Sequence, residues 1–246
     1  MKKILFLPGA GGSPGFWQPV AKRLPDEWEK AFFGWPGLGD QPHDLDIKSI
    51  DDLVRLVDVT VDGPVDLVAQ SMGGVVATRF ALKRPNAVRR LVLAVTSAGV
   101  NMTQFGASDW RADYRSQFPR AADWITQHSA TAELPVELIE APTLLIWGDS
   151  DPISPVAVGR HLERRMPNAR LHVVPGGDHS LASNKAEAVA ALIARSSSEG
   201  VRLPNSSITP TACLAAIDRR RFWRRRSRPG CGSRRRAFAG SPTHGP

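Results

Sequence analysis

The chain has 246 residues, a formal net charge of +8 and two cysteines, which is enough for one domain with a sizeable core. Residues 1–195 carry 21 Lys and Arg against 22 Asp and Glu, a balance of −1, whereas residues 196–246 carry 11 Arg against 2 acids, or +9. Any polyanion-binding function is therefore confined to the last fifth of the chain, and because Cys213 and Cys231 also lie there, the body can hold neither a disulfide framework nor a cysteine zinc site.

The start, "MKKILFLPGAGG", has two lysines and an apolar run, Ile4 to Leu7, that Pro8-Gly9 ends too early for a signal peptide. No stretch approaches the roughly 20 apolar residues of a membrane span. The expectation is a soluble, cytoplasmic protein.

"KILFL" (Lys3–Leu7) suits a buried parallel strand. Ser13-Pro14 offers a helix N-cap and first-turn proline, and "FWQPVAKRL" is expected to follow as a short helix. "EKAFFGW" is a second strand, closed by "PGLGD". "SIDDLVRLVDV" spaces Ile50, Leu53, Val54 and Val57 as on a helix capped by Ser49. "VDLVA" is a third strand and "MGGVVATRFALKRP" the next helix. "VRRLVLAVT", "PTLLIWG" and "ARLHVVP" complete six strands. "PVAVGRHLERRM" and "NKAEAVAALIAR" are the remaining helices of the body. Strands separated by helices imply an α/β fold, a mostly parallel sheet of about six strands covered on both faces.

The interval from about 97 to 140 breaks this rhythm. It holds Trp110, Tyr114, Phe118 and Trp124 and no convincing strand, and is expected to form a small helical cap. The α/β body thus spans 1–195. From 196 to 246 the chain is rich in Ser, Pro, Gly and Arg, a composition that cannot build a core and is expected to be disordered. Phe222 and Trp223 within "RRRFWRRRSRPGCGSRRR" would serve an alternative reading of that tail as a nucleic-acid-binding arm, the less favoured one.

The stretch "DLVAQSMGGVVATRFAL" runs from strand through Ser71 to helix, with Ala69 and Gly73 two residues either side. Small residues there let strand and helix approach around a strained serine, the requirement of a nucleophile elbow. A serine hydroxyl needs a base, usually histidine, and a carboxylate to orient it. Of the six histidines, His244 is in the tail, His128 in the insertion, His161 within a helix and expected at the surface, His172 within a strand and His43 in a polar loop. His179, in the loop "PGGDHSL" directly after a strand, is where a sheet would present a base. "LLIWGDSDPISP" offers Asp149 and Asp151 as the carboxylate, and either can instead cap the helix after Pro155. The glycine-rich "PGAGGSPG" after the first strand can expose backbone N–H groups to a developing oxyanion. It matches neither phosphate-cradling pattern, G-x-x-x-x-G-K-[ST] or G-x-G-x-x-G, which argues against a nucleotide site.

Taken together, "LPGAGGSPGFW", "WPGLGD", "AQSMGG", "LLIWGDSDPISP" and "PGGDHSL" resemble the α/β-hydrolase superfamily, in its small serine-esterase branch with one short cap insertion. The resemblance implies Ser71 as nucleophile, His179 as base, Asp151 rather than Asp149 as acid, and the backbone N–H groups of Ala10 and Met72 as oxyanion donors. It departs from the family where Pro8-Gly9 replaces a His-Gly pair, where Trp35 takes a position that often carries a small or acidic residue, and where Asp178 precedes His179. Six strands, against the family's eight, imply loss of the first antiparallel pair. The implied reaction is hydrolysis of small or medium carboxylic esters through an acyl-enzyme, with no metal or organic cofactor. Lactonase, thioesterase, perhydrolase or C–C hydrolase or lyase chemistry are alternatives with the same residues. An inactive hydrolase fold used for binding is a more remote one.

Overall fold

The computed structural model describes residues 2–127 and 133–198. The expectations of disorder and of nucleic-acid binding in the basic tail concern residues outside that set, apart from its first three.

Six strands form one sheet in the order β2-β1-β3-β4-β5-β6, with every pair parallel. They are β1 (Lys3–Leu7), β2 (Glu29–Phe32), β3 (Val65–Gln70), β4 (Val88–Ala94), β5 (Thr143–Gly148) and β6 (Ala169–Val174). Central β3 and β5 are buried along their whole length, as parallel strands covered on both faces are, and buried Asp66 in β3 is paired with Lys2 and Arg89. The edge strands β2 and β6 are only partly covered.

The helices are α1 (Gln18–Ala21), α2 (Ile50–Thr60), α3 (Met72–Lys83), α4 (Arg111–Gln117), α5 (Trp124–Gln127), α6 (Val156–Arg165), α7 (Leu181–Asn184) and α8 (Ala186–Ser198). Right-handed crossovers dictate their layers. The step from β1 to β2 runs one way along the sheet, and every later step runs the other way. This puts α1 on one face and α2, α3 and α6 on the opposite one. The contacts agree, since α2 packs on α3 while α8 returns to pack on α1. The order of connections reverses between the parallel neighbours β1 and β3, so the loops leaving their C-terminal ends meet at a topological switch point, where such folds place ligands.

Helix boundaries differ from expectation near both ends of the body. The first helix is a single turn capped by Trp17 without a side-chain bond. Ser13 does not cap it, because its Oγ accepts from Gly15 N–H within a local turn (3.2 Å). The last helix continues past Arg195 to Ser198, where Ser196 and Ser198 hydroxyls donate back to the carbonyls of Ile193 and Ala194. Between β4 and β5 the described chain forms 3₁₀ turns at Met102–Phe105 and Val136–Leu138 and the helices α4 and α5, with no strand, in keeping with a helical insertion. No helix of the described residues is long and apolar enough to cross a membrane.

The α2–α3 contact is closed by ions. Asp58, in the last turn of α2, accepts from Arg84 Nη1 (2.8 Å) and Lys83 Nζ (2.7 Å) at the end of α3. These hydrogen bonds, that of Arg84 foremost, hold its carboxyl below the ordinary value. A depressed folded pKa adds stability that is full above the unfolded carboxyl's pKa and disappears as pH falls through the folded one. Asp58→Asn should therefore lower Tm at neutral pH more than in acid, flattening the acid limb of a Tm–pH profile. An unaltered acid limb would show that this cluster contributes nothing to it.

Candidate active site

Ser71 stands between the last residue of β3 and the first of α3 with φ 52° and ψ −124°, a region that costs a non-glycine residue of order 1–3 kcal/mol. The surroundings over-determine it. Its N–H donates to Ala94 carbonyl (3.0 Å), and its carbonyl accepts from Gly74 N–H (2.9 Å) and Thr96 Oγ1 (2.5 Å). Strand and helix meet closely beside it, since a Cβ on Gly73 would lie 2.3 Å from Pro8 carbonyl oxygen and 2.7 Å from that of Leu7. That contact is the physical reason for the small residue after the serine, and Ala69 before it is fully buried in β3.

His179 follows β6 and reaches Ser71 from the far side of β4 and β5. Its Nε2 lies 2.9 Å from Ser71 Oγ and its Nδ1 2.7 Å from Asp151 Oδ2. The Asp151 side chain is fully buried, whereas that of His179 is 23 % exposed. The second Asp151 oxygen accepts from the N–H groups of Ile153 (2.8 Å) and Ser154 (3.1 Å). A carboxylate only accepts, so Nδ1 carries the imidazole proton and Nε2 is left as acceptor for the hydroxyl. In this tautomer the imidazole can take the serine proton.

The structure also separates the two candidate aspartates. Asp149 Oδ1 accepts from Gly176 N–H (2.7 Å) and from Ser150 Oγ (3.0 Å), so it braces the turn that leads to His179 rather than touching the ring. The other histidines stand apart. His43 Nε2 pairs with Arg120 carbonyl (2.8 Å). His172 is exposed on edge strand β6. His161, expected at the surface, is instead half-buried against the Phe105 ring. Its Nε2 is buried without a partner among the described residues, because the 3₁₀ turn at Met102–Phe105 folds over α6. His128 and His244 lie outside the described residues.

Ala10 lies in the loop after β1, and Met72 opens α3, whose first-turn N–H groups lack intrahelical acceptors. The loop abuts the serine, since a Cβ on Gly9 would lie 3.1 Å from Ser71 Cβ. Among the described residues nothing accepts from the Ala10 N–H.

Several contributing residues escape a sequence reading. Gln70, next to the serine, donates from Nε2 to His179 carbonyl (3.0 Å) and so ties the histidine loop to the elbow. Thr96 is joined to the elbow as described, and Trp35 and Trp17 donate from their indoles to Pro8 carbonyl (2.8 Å) and Leu7 carbonyl (3.0 Å). Trp35, where the sequence departs from the family pattern, is thus a fully buried donor that holds the end of β1.

This arrangement places the chain among known proteins. A family model described as "Alpha/beta hydrolase family" matches residues 4–128, about half the chain, and one described as "alpha/beta hydrolase fold" matches residues 102–186. The chain is 27 % identical over 238 residues to a pimeloyl-[acyl-carrier protein] methyl ester esterase of Neisseria meningitidis, covering 78 % of this chain and 75 % of that one. It is 28 % identical over 233 residues to a poly(3-hydroxyalkanoate) depolymerase of Ectopseudomonas oleovorans, covering 77 % and 82 %. Among solved structures, a thermophilic esterase from Thermogutta terrifontis superposes with a TM-score of 0.63 at 20 % identity, over 79 % of this chain and 89 % of that one. The sheet, its switch point and the family match agree, and the chain belongs to the alpha/beta hydrolase family.

Proposed function

We propose that the chain is a serine hydrolase that cleaves small or medium carboxylic esters through an acyl-enzyme on Ser71. The observation that carries this reading is the unbroken hydrogen-bond line from Ser71 Oγ through His179 to the buried Asp151. Ser71 Oγ attacks the ester carbonyl as His179 Nε2 takes its proton. Asp151 stabilises the imidazolium and keeps Nδ1 protonated. The Ala10 and Met72 N–H groups receive the oxyanion of the tetrahedral intermediate. The alcohol leaves with the proton from His179, and water, activated by the same imidazole, then hydrolyses the acyl-enzyme. No step calls on a metal or organic cofactor. The relatives named above as a methyl ester esterase and a polyester depolymerase support carboxylic esters as the substrate class.

The test is intact-protein mass spectrometry after treatment with a fluorophosphonate probe, followed by peptide mapping. One adduct, on Ser71, is expected. A folded sample that takes no adduct, or takes it elsewhere, overturns the reading. Turnover of p-nitrophenyl acyl esters is expected from the same sample. Labelling at Ser71 without turnover of any simple ester would move the substrate toward the C–C bond or lactone chemistries that use the same residues.

A further inference from the structure

The loop that carries Ala10 is held carbonyl by carbonyl. Leu7 accepts from the Trp17 indole and Pro8 from the Trp35 indole. Gly9 accepts from Gly12 N–H (3.1 Å), and Gly12 from Trp35 N–H (3.0 Å). The remaining anchor comes from 104 positions away. Tyr114 Oη donates to Ala10 carbonyl (2.9 Å) and at the same time accepts from Gly39 N–H (3.0 Å) in the loop after β2. Tyr114 is the chain's one tyrosine. It stands on α4, in the insertion, so a residue outside the sheet fixes a peptide beside the nucleophile.

The geometry leaves the hydroxyl little choice. The Tyr114 ring is buried and gripped along its own helix by Trp110 (edge-on, centroids 5.5 Å apart) and Phe118 (5.1 Å), the i−4 and i+4 neighbours of one helix face. Gly39 N–H can only donate, so the phenol proton must go to Ala10. Burial, opposed by the Gly39 hydrogen bond and by nearby Arg115 and supported by Asp40, pushes the phenol above its ordinary pKa, which keeps that proton in place. The insertion is anchored to the same loops by Ala122 N–H on Gly37 carbonyl (2.7 Å).

We infer that Tyr114 is a positioning residue for the oxyanion site: by holding the Ala10 carbonyl it fixes the peptide planes around Ala10 so that the free Ala10 N–H faces the reacting carbonyl. The inference rests on the serine-esterase reading above. It makes the insertion part of the catalytic apparatus, because a shift of α4 would be felt directly at the Ala10 amide. The bulk of the insertion can then vary with substrate, while the phenol contact stays tied to transition-state stabilisation.

The experiment compares wild type with Tyr114→Phe, which removes one oxygen. Fluorophosphonate labelling of wild type at Ser71 is scored first, and its failure would sink the esterase reading rather than this one. Given labelling, Tyr114→Phe should lower kcat about tenfold, less than the ~10²–10³ lost with an oxyanion donor itself, and leave KM within about twofold. A trifluoromethyl ketone that forms a tetrahedral adduct should bind more weakly by the same factor as kcat/KM falls. The matching methyl ketone, which binds without an oxyanion, should bind unchanged. An unaltered kcat, or equal weakening of both ketones, would overturn the inference. Should Tyr114→Phe fail to fold, biosynthetic replacement of tyrosine by 3,5-difluorotyrosine alters this position alone and makes its phenol more acidic. Its kcat should then fall as pH rises through ionisation of the fluorinated phenol, relative to unmodified protein. A constant ratio across that range would overturn the inference equally.

Discussion

Ser71→Ala is expected to reduce ester turnover by about 10⁴- to 10⁶-fold, the loss typical of removing the nucleophile from a serine triad. The fold should survive. The substitution keeps the elbow's own backbone N–H and carbonyl, which bond the Ala94 carbonyl, the Gly74 N–H and the Thr96 hydroxyl, and alanine meets the same positive φ that serine already tolerates. The loss to stability is one partly exposed hydrogen bond, about 1 kcal/mol, so Tm should move by only a few degrees. His179→Ala should cost nearly as much activity, because the hydroxyl then has no proton acceptor. The informative variant is the double one. Groups that act as a unit are strongly non-additive, so Ser71→Ala/His179→Ala should be no slower than either single variant. Residual turnover in all three should be equal and should come from the bound substrate and oxyanion donors. Full activity in Ser71→Ala, or two single losses that multiply, would mean that the two side chains do not work on the same proton.

The parts of this architecture that could be read from sequence are those whose cause is local. "KILFL", "VDLVA" and "TLLIWG" announce buried strands because both of their faces are covered, and the apolar run is the direct result. Ser71 could be recognised because the close contact of Gly73 with Pro8 and Leu7 forces a small residue at a fixed spacing from it. His179 follows a strand in a glycine-rich turn, which is again local. Failures began where a short polar residue had two possible partners. Ser13 could cap a helix or close a turn, and propensity does not choose between them. Asp149 and Asp151 sit two residues apart at one strand end, and residue spacing alone did not divide them. Only the family pattern pointed to Asp151, and the fold gives the reason, with one carboxylate turned to the Gly176 turn and the other to the imidazole. Nothing in the sequence pointed to the hydrogen bonds that Gln70, Trp35 and Tyr114 make, because their partners are 109, 27 and 104 positions away. Tyr114 was visible only as one aromatic in an insertion full of them.

Asp151→Asn is expected to lower kcat about 10⁴-fold, by analogy with the same change in a serine triad, and the two oxygens of Asp151 explain why the loss should be that large here. Oδ1 accepts from two backbone N–H groups, those of Ile153 and Ser154. An asparagine at this position must keep its carbonyl oxygen there, because turning the amide round would set its NH₂ against two donors inside a fully buried site. The NH₂ is therefore forced toward His179 Nδ1. That nitrogen must become an acceptor, so the imidazole proton moves to Nε2 and points at Ser71 Oγ. The serine hydroxyl then faces a donor and cannot lose its proton to it. Volume and shape barely change, so the unfolding transition should stay cooperative and fluorophosphonate should still reach the site, with its labelling rate lowered in parallel with kcat. Asp149→Asn supplies the control. It should leave the tautomer and kcat largely intact while loosening the Gly176 turn, which a modest drop in Tm would report. A large kcat loss in Asp149→Asn with little in Asp151→Asn would reverse the assignment of the two carboxylates. Comparable losses in both would point to the loop position of His179, rather than its tautomer, as the quantity that Asp151 controls.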